Sequence, residues 1–264
     1  GPPPERDLSA GSGSFFDVLR RGLDNAIANW PLMAIRLGET VVLGVIGLAT
    51  AAALILPVLV SIGIAFDDLA NPQNILGAIA ALAGKWMVLV WILIAITVLV
   101  ILFVAVHAFV EAGRARILVA ADRAAGTEAA GPRSRFAVFS GREWLAGGAA
   151  GWWPLFWIYN IAWGWAALIL MIPLVPTMVL VLLFRERPGM AIASGCIGLL
   201  LTLLLGIVVG VLTGMWTVRS TAEWARGGRT VRQALAGGWR AIRDDFGRHL
   251  LVAIVMIVVG VAGS

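Results

Sequence analysis

Five long apolar runs, near residues 37–64, 87–110, 152–183, 190–217 and 249–263, limit what this chain can become. Crossing a hydrocarbon layer roughly 30 Å thick takes about 20 helical residues. The last run, about fifteen residues, is short by that measure. Lipid offers no partners to backbone N–H and C=O groups, so each run must be a helix. Residues are 60% hydrophobic and 13% charged, against about 25% charged in ordinary soluble domains. A soluble core could not hide that much apolar surface; a bilayer can. The sequence therefore predicts an all-α polytopic membrane protein with about five transmembrane helices. Pro173 and Pro176 in the third run predict a kink or a bent exit there.

Arginine sets the expected orientation. Segments 1–36, 111–143 and 219–248 hold four, six and seven arginines, while the opposite side keeps Lys85, Arg185 and Arg187, with Asp67 and Asp68 beside its first loop. Such asymmetry on short loops is a positive-inside signal. It predicts a multi-pass protein of the bacterial inner (cytoplasmic) membrane with its N-terminus in the cytoplasm. Residues 1–13, rich in Pro, Ser and Gly, are expected to be flexible and show no secretory signal.

A repeat underlies these runs. Seventeen residues from Ser14 to Trp30 lead through Pro31-Leu32 into a span, and seventeen from Thr230 to Phe246 lead into another. A weaker middle copy, Phe136 to Trp152, precedes Trp153-Pro154-Leu155, echoing Trp30-Pro31-Leu32. Each unit reads as a surface helix followed by a two-span hairpin, giving a six-span plan whose third unit lacks its second half.

The outer copies, assigned to 14–30 and 221–247, are amphipathic. Phe15, Leu19, Leu23, Ile27 and Trp30 recur at helical spacing, opposed by Asp17, Arg20, Arg21, Asp24 and Asn25. Ser14 is an expected N-cap, with Asp17 completing a capping-box-like pair. In the third copy Val231, Leu235, Trp239, Ile242 and Phe246 form the stripe, and Arg240 and Asp244 an i,i+4 pair. An apolar stripe with an arginine-bearing face suits a helix lying in the membrane interface, its arginines meeting anionic headgroups. Trp30, Trp153, Trp239 and Phe246 are the expected interfacial anchors.

Charges inside spans are functional suspects. Arg36 and Glu39 lie three apart at the start of the first span; His107 and Glu111 lie four apart at the end of the second. A hairpin would bring all four to one level, as a proton- or substrate-handling site or as a structural ion pair, and their distance from the midplane favours the structural reading. Either His107 or His249 could ligate haem or a chlorophyll-type metal, but neither sits in a binding motif, so no cofactor is expected. Gly206, Gly210 and Gly214 form overlapping GxxxG units that predict close helix packing, within the chain before dimerisation.

The lone Cys196 excludes an internal disulfide or CxxC metal site. HExxH and phosphate-loop motifs are also missing, so no catalytic or metal-binding residue is assigned. Nucleic acid is disfavoured, because topology already accounts for the arginines.

The plan resembles a broad group of bacterial membrane proteins that includes the membrane domain attached to some glycerophosphodiester phosphodiesterases. The likeness rests on Phe16 to Leu32, Phe109-Val110-Glu111-Ala112-Gly113, Trp153 to Asn160 and Phe246-Gly247-Arg248-His249. It implies six spans, from which five runs depart, and carries over no catalytic residue. These features lead to a non-enzymatic accessory or scaffold subunit of a larger membrane complex, or a membrane-organising protein. Its partners would be membrane lipids and other membrane subunits or further copies of itself. The alternative is a transporter of a lipid or other apolar small molecule, with Asn160, Tyr159 or the Arg36/Glu39 group lining its path.

Overall fold

The computed structural model describes residues 15–62, 86–126, 133–184, 186–227 and 229–262. Among the described residues there are seven α-helices, a short 3-10 turn at Arg133–Phe136 and no strand. The helices are α1 Phe15–Ala28, α2 Pro31–Ile62, α3 Trp86–Ala125, α4 Gly141–Leu183, α5 Pro188–Ala225, α6 Val231–Asp244 and α7 Phe246–Ala262. Four of them, α2 to α5, contain stretches long and apolar enough to cross a membrane. The fifth run becomes α7, a shorter helix of 17 residues. The expected flexible segment 1–13 and the Ser14 cap lie outside the described residues.

Apolar character and burial are inverted relative to a soluble fold. In the most apolar window of each long helix, no more than 11% of residues are buried. Burial is concentrated instead at the arginine-rich end, where Ala108, Ala112, Leu155, Ile158, Trp224, Ala234 and Leu235 form one cluster. There the end of α3, the start of α4 and the end of α5 form a tight collar.

Glycine makes that approach possible. A Cβ on Gly113 would stand 2.6 Å from the backbone oxygen and indole of Trp144. One on Gly151 would enter the Trp224 ring and come within 2.8 Å of Ala112 Cβ. This packing explains two departures from the expected boundaries. The polarity from Glu111 onward predicts that the second span ends near residue 110, yet α3 continues to Ala125 because its last turns pack on α4 and the 3-10 turn. The middle surface helix is not separate either: the chain from Gly141 runs straight into the third span as one helix of 43 residues. Pro154, Pro173 and Pro176 all lie within α4 without ending it. The kink or bent exit expected at Pro173 and Pro176 falls inside this continuous helix.

The two short amphipathic helices dock in opposite senses. Of the segment 221–247, residues 221–225 finish α5, and Gly227 turns the chain at φ 125°. A capping box between Thr230 and Gln233 then starts α6. Its apolar face meets the collar: Leu235 and Ile242 are buried, Trp216 Nε1 donates to Leu235 O at 2.9 Å, and Gly238 lies against Ser220. Trp239 and Phe246 remain half exposed at its edge. The expected Arg240–Asp244 pair is replaced: Asp244 faces Arg243 at 3.4 Å, and Arg240 Nε donates to Ala236 O.

Helix α1 instead turns its polar face inward. Asn25, expected on the open face, is buried and donates to Leu118 O at 3.1 Å. Asn29 is fully buried; its amide donates to Phe136 O at 2.7 Å and its oxygen accepts from Val138 N at 3.3 Å. Arg21 Nε donates to Asp122 Oδ1 at 2.8 Å, and Arg133 Nε to Asp24 Oδ1 at 2.6 Å. Phe16, Leu23, Ile27 and Trp30 are exposed, Phe16 at 76% and Trp30 at 65%.

Candidate functional site

At the open edge of the collar, the first turns of α2 and the middle of α3 bring Arg36, Glu39, His107 and Glu111 together. The i,i+3 and i,i+4 spacings place each pair on one helix face. Arg36 Nη1 lies 2.7 Å from Glu39 Oε2, 2.8 Å from His107 Nδ1 and 3.4 Å from Glu111 Oε1. His107 Nδ1 is also 2.8 Å from Glu39 Oε1. Two further groups complete the cluster. Arg114 Nη1 meets Glu111 Oε1 at 3.3 Å, and the Tyr159 ring stands edge-on to His107 with centroids 4.7 Å apart. The Glu111–Arg114 spacing was legible as an i,i+3 pair; Tyr159 comes from a third helix and carries no sequence signal for this contact.

Both carboxylates are buried, whereas the Arg36 side chain is 42% exposed. Two guanidinium and two carboxylate charges cancel. Arg36 fills the space between Glu39, His107 and Glu111 that a bound cation would need, and no set of metal-binding side chains is found among the described residues. The His107 Nδ1 position has two uses: unprotonated it accepts from Arg36, and protonated it donates to Glu39.

Glu39 is expected to matter chiefly through Arg36. Replacing Glu39 with Leu should destabilise the chain by about 2 kcal/mol, below the usual cost of breaking a buried pair because Arg36 reaches solvent and keeps Glu111. Adding Arg36→Leu should recover part of that loss, since a buried ion pair replaced by apolar groups is often neutral. Unfolding measurements on the two single variants and the double variant test this; strictly additive losses would mean that the pair is not coupled.

From this charged head a cleft of about 510 Å³ runs between α2 and α3, lined also by Thr40, Leu43, Gly44, Gly47 and Phe103. On α2 these positions recur every three or four residues, the period of one helix face.

The other expected positions fall elsewhere. His249 accepts from Arg219 Nε at Nε2, while its Nδ1 lies 2.7 Å from Asp245 O, so both ring nitrogens are engaged. Trp153 is half exposed on α4 and stacks on Phe156 at 5.6 Å. The GxxxG run does not serve close packing within the described chain. A Cβ on Gly210 or Gly214 would meet nothing within 4 Å, and one on Gly206 only a Leu170 methyl at 3.8 Å. Close contacts fall instead on the collar glycines and on Gly198, which lies against Thr177.

Comparison of the chain with protein families, with curated proteins and with solved structures finds no match.

Proposed function

We propose that this chain is a non-enzymatic subunit embedded in a bacterial inner membrane, where it anchors or organises a larger membrane assembly. The observation that carries this reading is the division of labour along the long helices. Polar chemistry is tied up in a packed collar at one end, while the apolar sides remain uncovered. Arg36, Glu39, His107, Glu111 and Arg114 are engaged with one another. This is the pattern of a structural polar cluster rather than of an acid–base pair held ready for substrate.

Of the lining residues expected for lipid transport, Arg36 and Glu39 border the α2–α3 cleft, while Asn160 and Tyr159 add little to that alternative. The Asn160 amide donates to Phe156 O of its own helix at 2.7 Å, and Tyr159 packs on His107. The uncovered glycines at 210 and 214 add a groove on α5 in which a partner helix could approach closely.

In this reading the arginine-rich collar faces the cytoplasm, α2 to α5 cross the bilayer, and α7 continues into it. Helix α1 lies in the interface with Phe16, Leu23, Ile27 and the following Trp30 against the acyl region, α6 borders it through Trp239, and α7 through its first residue, Phe246. The likeness to the membrane domain attached to some glycerophosphodiester phosphodiesterases belongs to the same proposal, as a shared membrane plan without the catalytic chemistry.

Native mass measurement after mild solubilisation from the original membrane tests the role. The expected species contains further polypeptides, either other subunits or additional copies. A stripped monomer under conditions that preserve known membrane complexes from the same preparation would overturn it.

A further inference from the structure

The α2–α3 cleft has a shape and a charge balance that select a ligand, independently of whether the chain is a subunit of something larger. We propose that it binds a neutral, flat-headed, long-tailed lipid of the prenylquinone class, with the ring oxygens facing Arg36 and His107.

Charge comes first. Arg36 already faces Glu39 and Glu111, and Arg114 faces Glu111 again. A phosphate head entering here would approach two buried carboxylates, and a quaternary ammonium head would approach Arg36. A head without net charge avoids both penalties.

Hydrogen bonding narrows the class. A quinone oxygen only accepts, whereas the corresponding quinol oxygen also donates. His107 can meet both states through its second ring nitrogen. With Nδ1 accepting from Arg36, Nε2 carries the proton and donates to a carbonyl; with Nδ1–H on Glu39, neutral Nε2 accepts from a hydroxyl. The inference concerns binding and requires no electron transfer within this chain.

Shape leaves room for a flat head. Phe103 lies against Gly47, where a Cβ would stand 3.3 Å from the ring. Three residues nearer the charged cluster the α2 backbone is bare at Gly44, where a Cβ would meet nothing within 4 Å, so a ring can lie there beside Phe103. The cleft's volume of about 510 Å³ lies within the roughly 300–1,000 Å³ usual for small-molecule sites. From Arg36 to Ala51 the lining extends about 22 Å along α2, at 1.5 Å per residue, leaving an apolar channel for a tail below the head.

The test is photolabelling of the full chain in phosphatidylcholine nanodiscs with an azido-benzoquinone, competed by decyl-tailed benzoquinone. Saturable labelling confined to α2 and α3 beside the cleft is expected. Gly44→Leu should weaken competition by at least about tenfold, and Gly164→Leu, the same change where a Cβ is also unopposed, by less than about twofold. Monoacylglycerol and phosphatidylglycerol should not compete. Unsaturable or evenly spread labelling, or a Gly44→Leu variant that binds like wild type, overturns the proposal. Equal competition by phosphatidylglycerol or monoacylglycerol overturns the choice of head. Competition on the wild-type chain decides the matter even if Gly44→Leu does not fold.

Discussion

Gly151→Leu should abolish the folded collar. The added side chain would start inside the Trp224 ring and against Ala112, so α3, α4 and α5 could not close on one another. Overpacking commonly costs about 1–3 kcal/mol where neighbours can shift. Here the obstacles are a large ring on one helix and a Cβ on another, both in the central buried cluster, and a loss above about 3 kcal/mol is expected. The readout is the yield of monodisperse protein and its unfolding midpoint in a fixed detergent. Gly210→Leu, with open space around it, should behave like wild type on both measures. A Gly151→Leu protein of normal yield and midpoint would mean that the three helices do not meet as closely as described.

The second large effect is expected at Asn29, whose side chain joins α1 to the turn before α4. Asn29→Leu should cost about 2–4 kcal/mol, because it leaves Phe136 O and Val138 N without their side-chain partner. The loss should be local first. Arg21, Asp24 and Asn25 would still tie α1 to the rest of the protein, and α1 should become more accessible. Limited proteolysis between residues 16 and 30 is the direct measurement. Unchanged protection together with an unchanged unfolding midpoint would show that the buried amide does not hold α1.

Asn25 and Asn29 also show where reading from sequence stops. Spacing alone separates most of the two faces of α1: Arg21, Asp24 and Asn25 are held by the rest of the protein, while Arg20 stays 75% exposed. Spacing does not say which face meets protein. The usual assumption, apolar in and polar out, presumes water on the far side. It describes α6, whose Leu235 and Ile242 are buried, and fails for α1, whose asparagines are buried while Phe16 and Trp30 are exposed.

The apolar runs located the long helices because hydropathy and backbone hydrogen bonding leave few options for such segments. Their ends were less legible. At Glu111 the polarity rises as though a span were finishing, but α3 continues because Gly113 admits Trp144 and later turns contact α1 and the 3-10 turn. Those are tertiary reasons, and no local pattern carries them.

The polar site divides in the same way. Arg36–Glu39 and His107–Glu111 could be paired in advance because helical spacing and an antiparallel hairpin together set their level. The shared use of His107 Nδ1 and the approach of Tyr159 from α4 depend on side-chain placement in three helices. GxxxG was an uneven guide: Gly210 and Gly214 meet nothing, whereas Gly147 and Gly151, which have the same spacing, take close contacts together with Gly113 and Gly148. Small residues permit proximity, but only a neighbouring helix makes use of it.

Helices α4 and α5 are pinned to each other twice, at Gly151 against Trp224 in the collar and at Gly198 against Thr177. Along α4 the two pins stand about 39 Å apart at 1.5 Å per residue. A pair of rods fastened at two distant points resists splaying far better than a pair fastened at one. Sideways force at one pin is therefore carried to the other through the stretch between them.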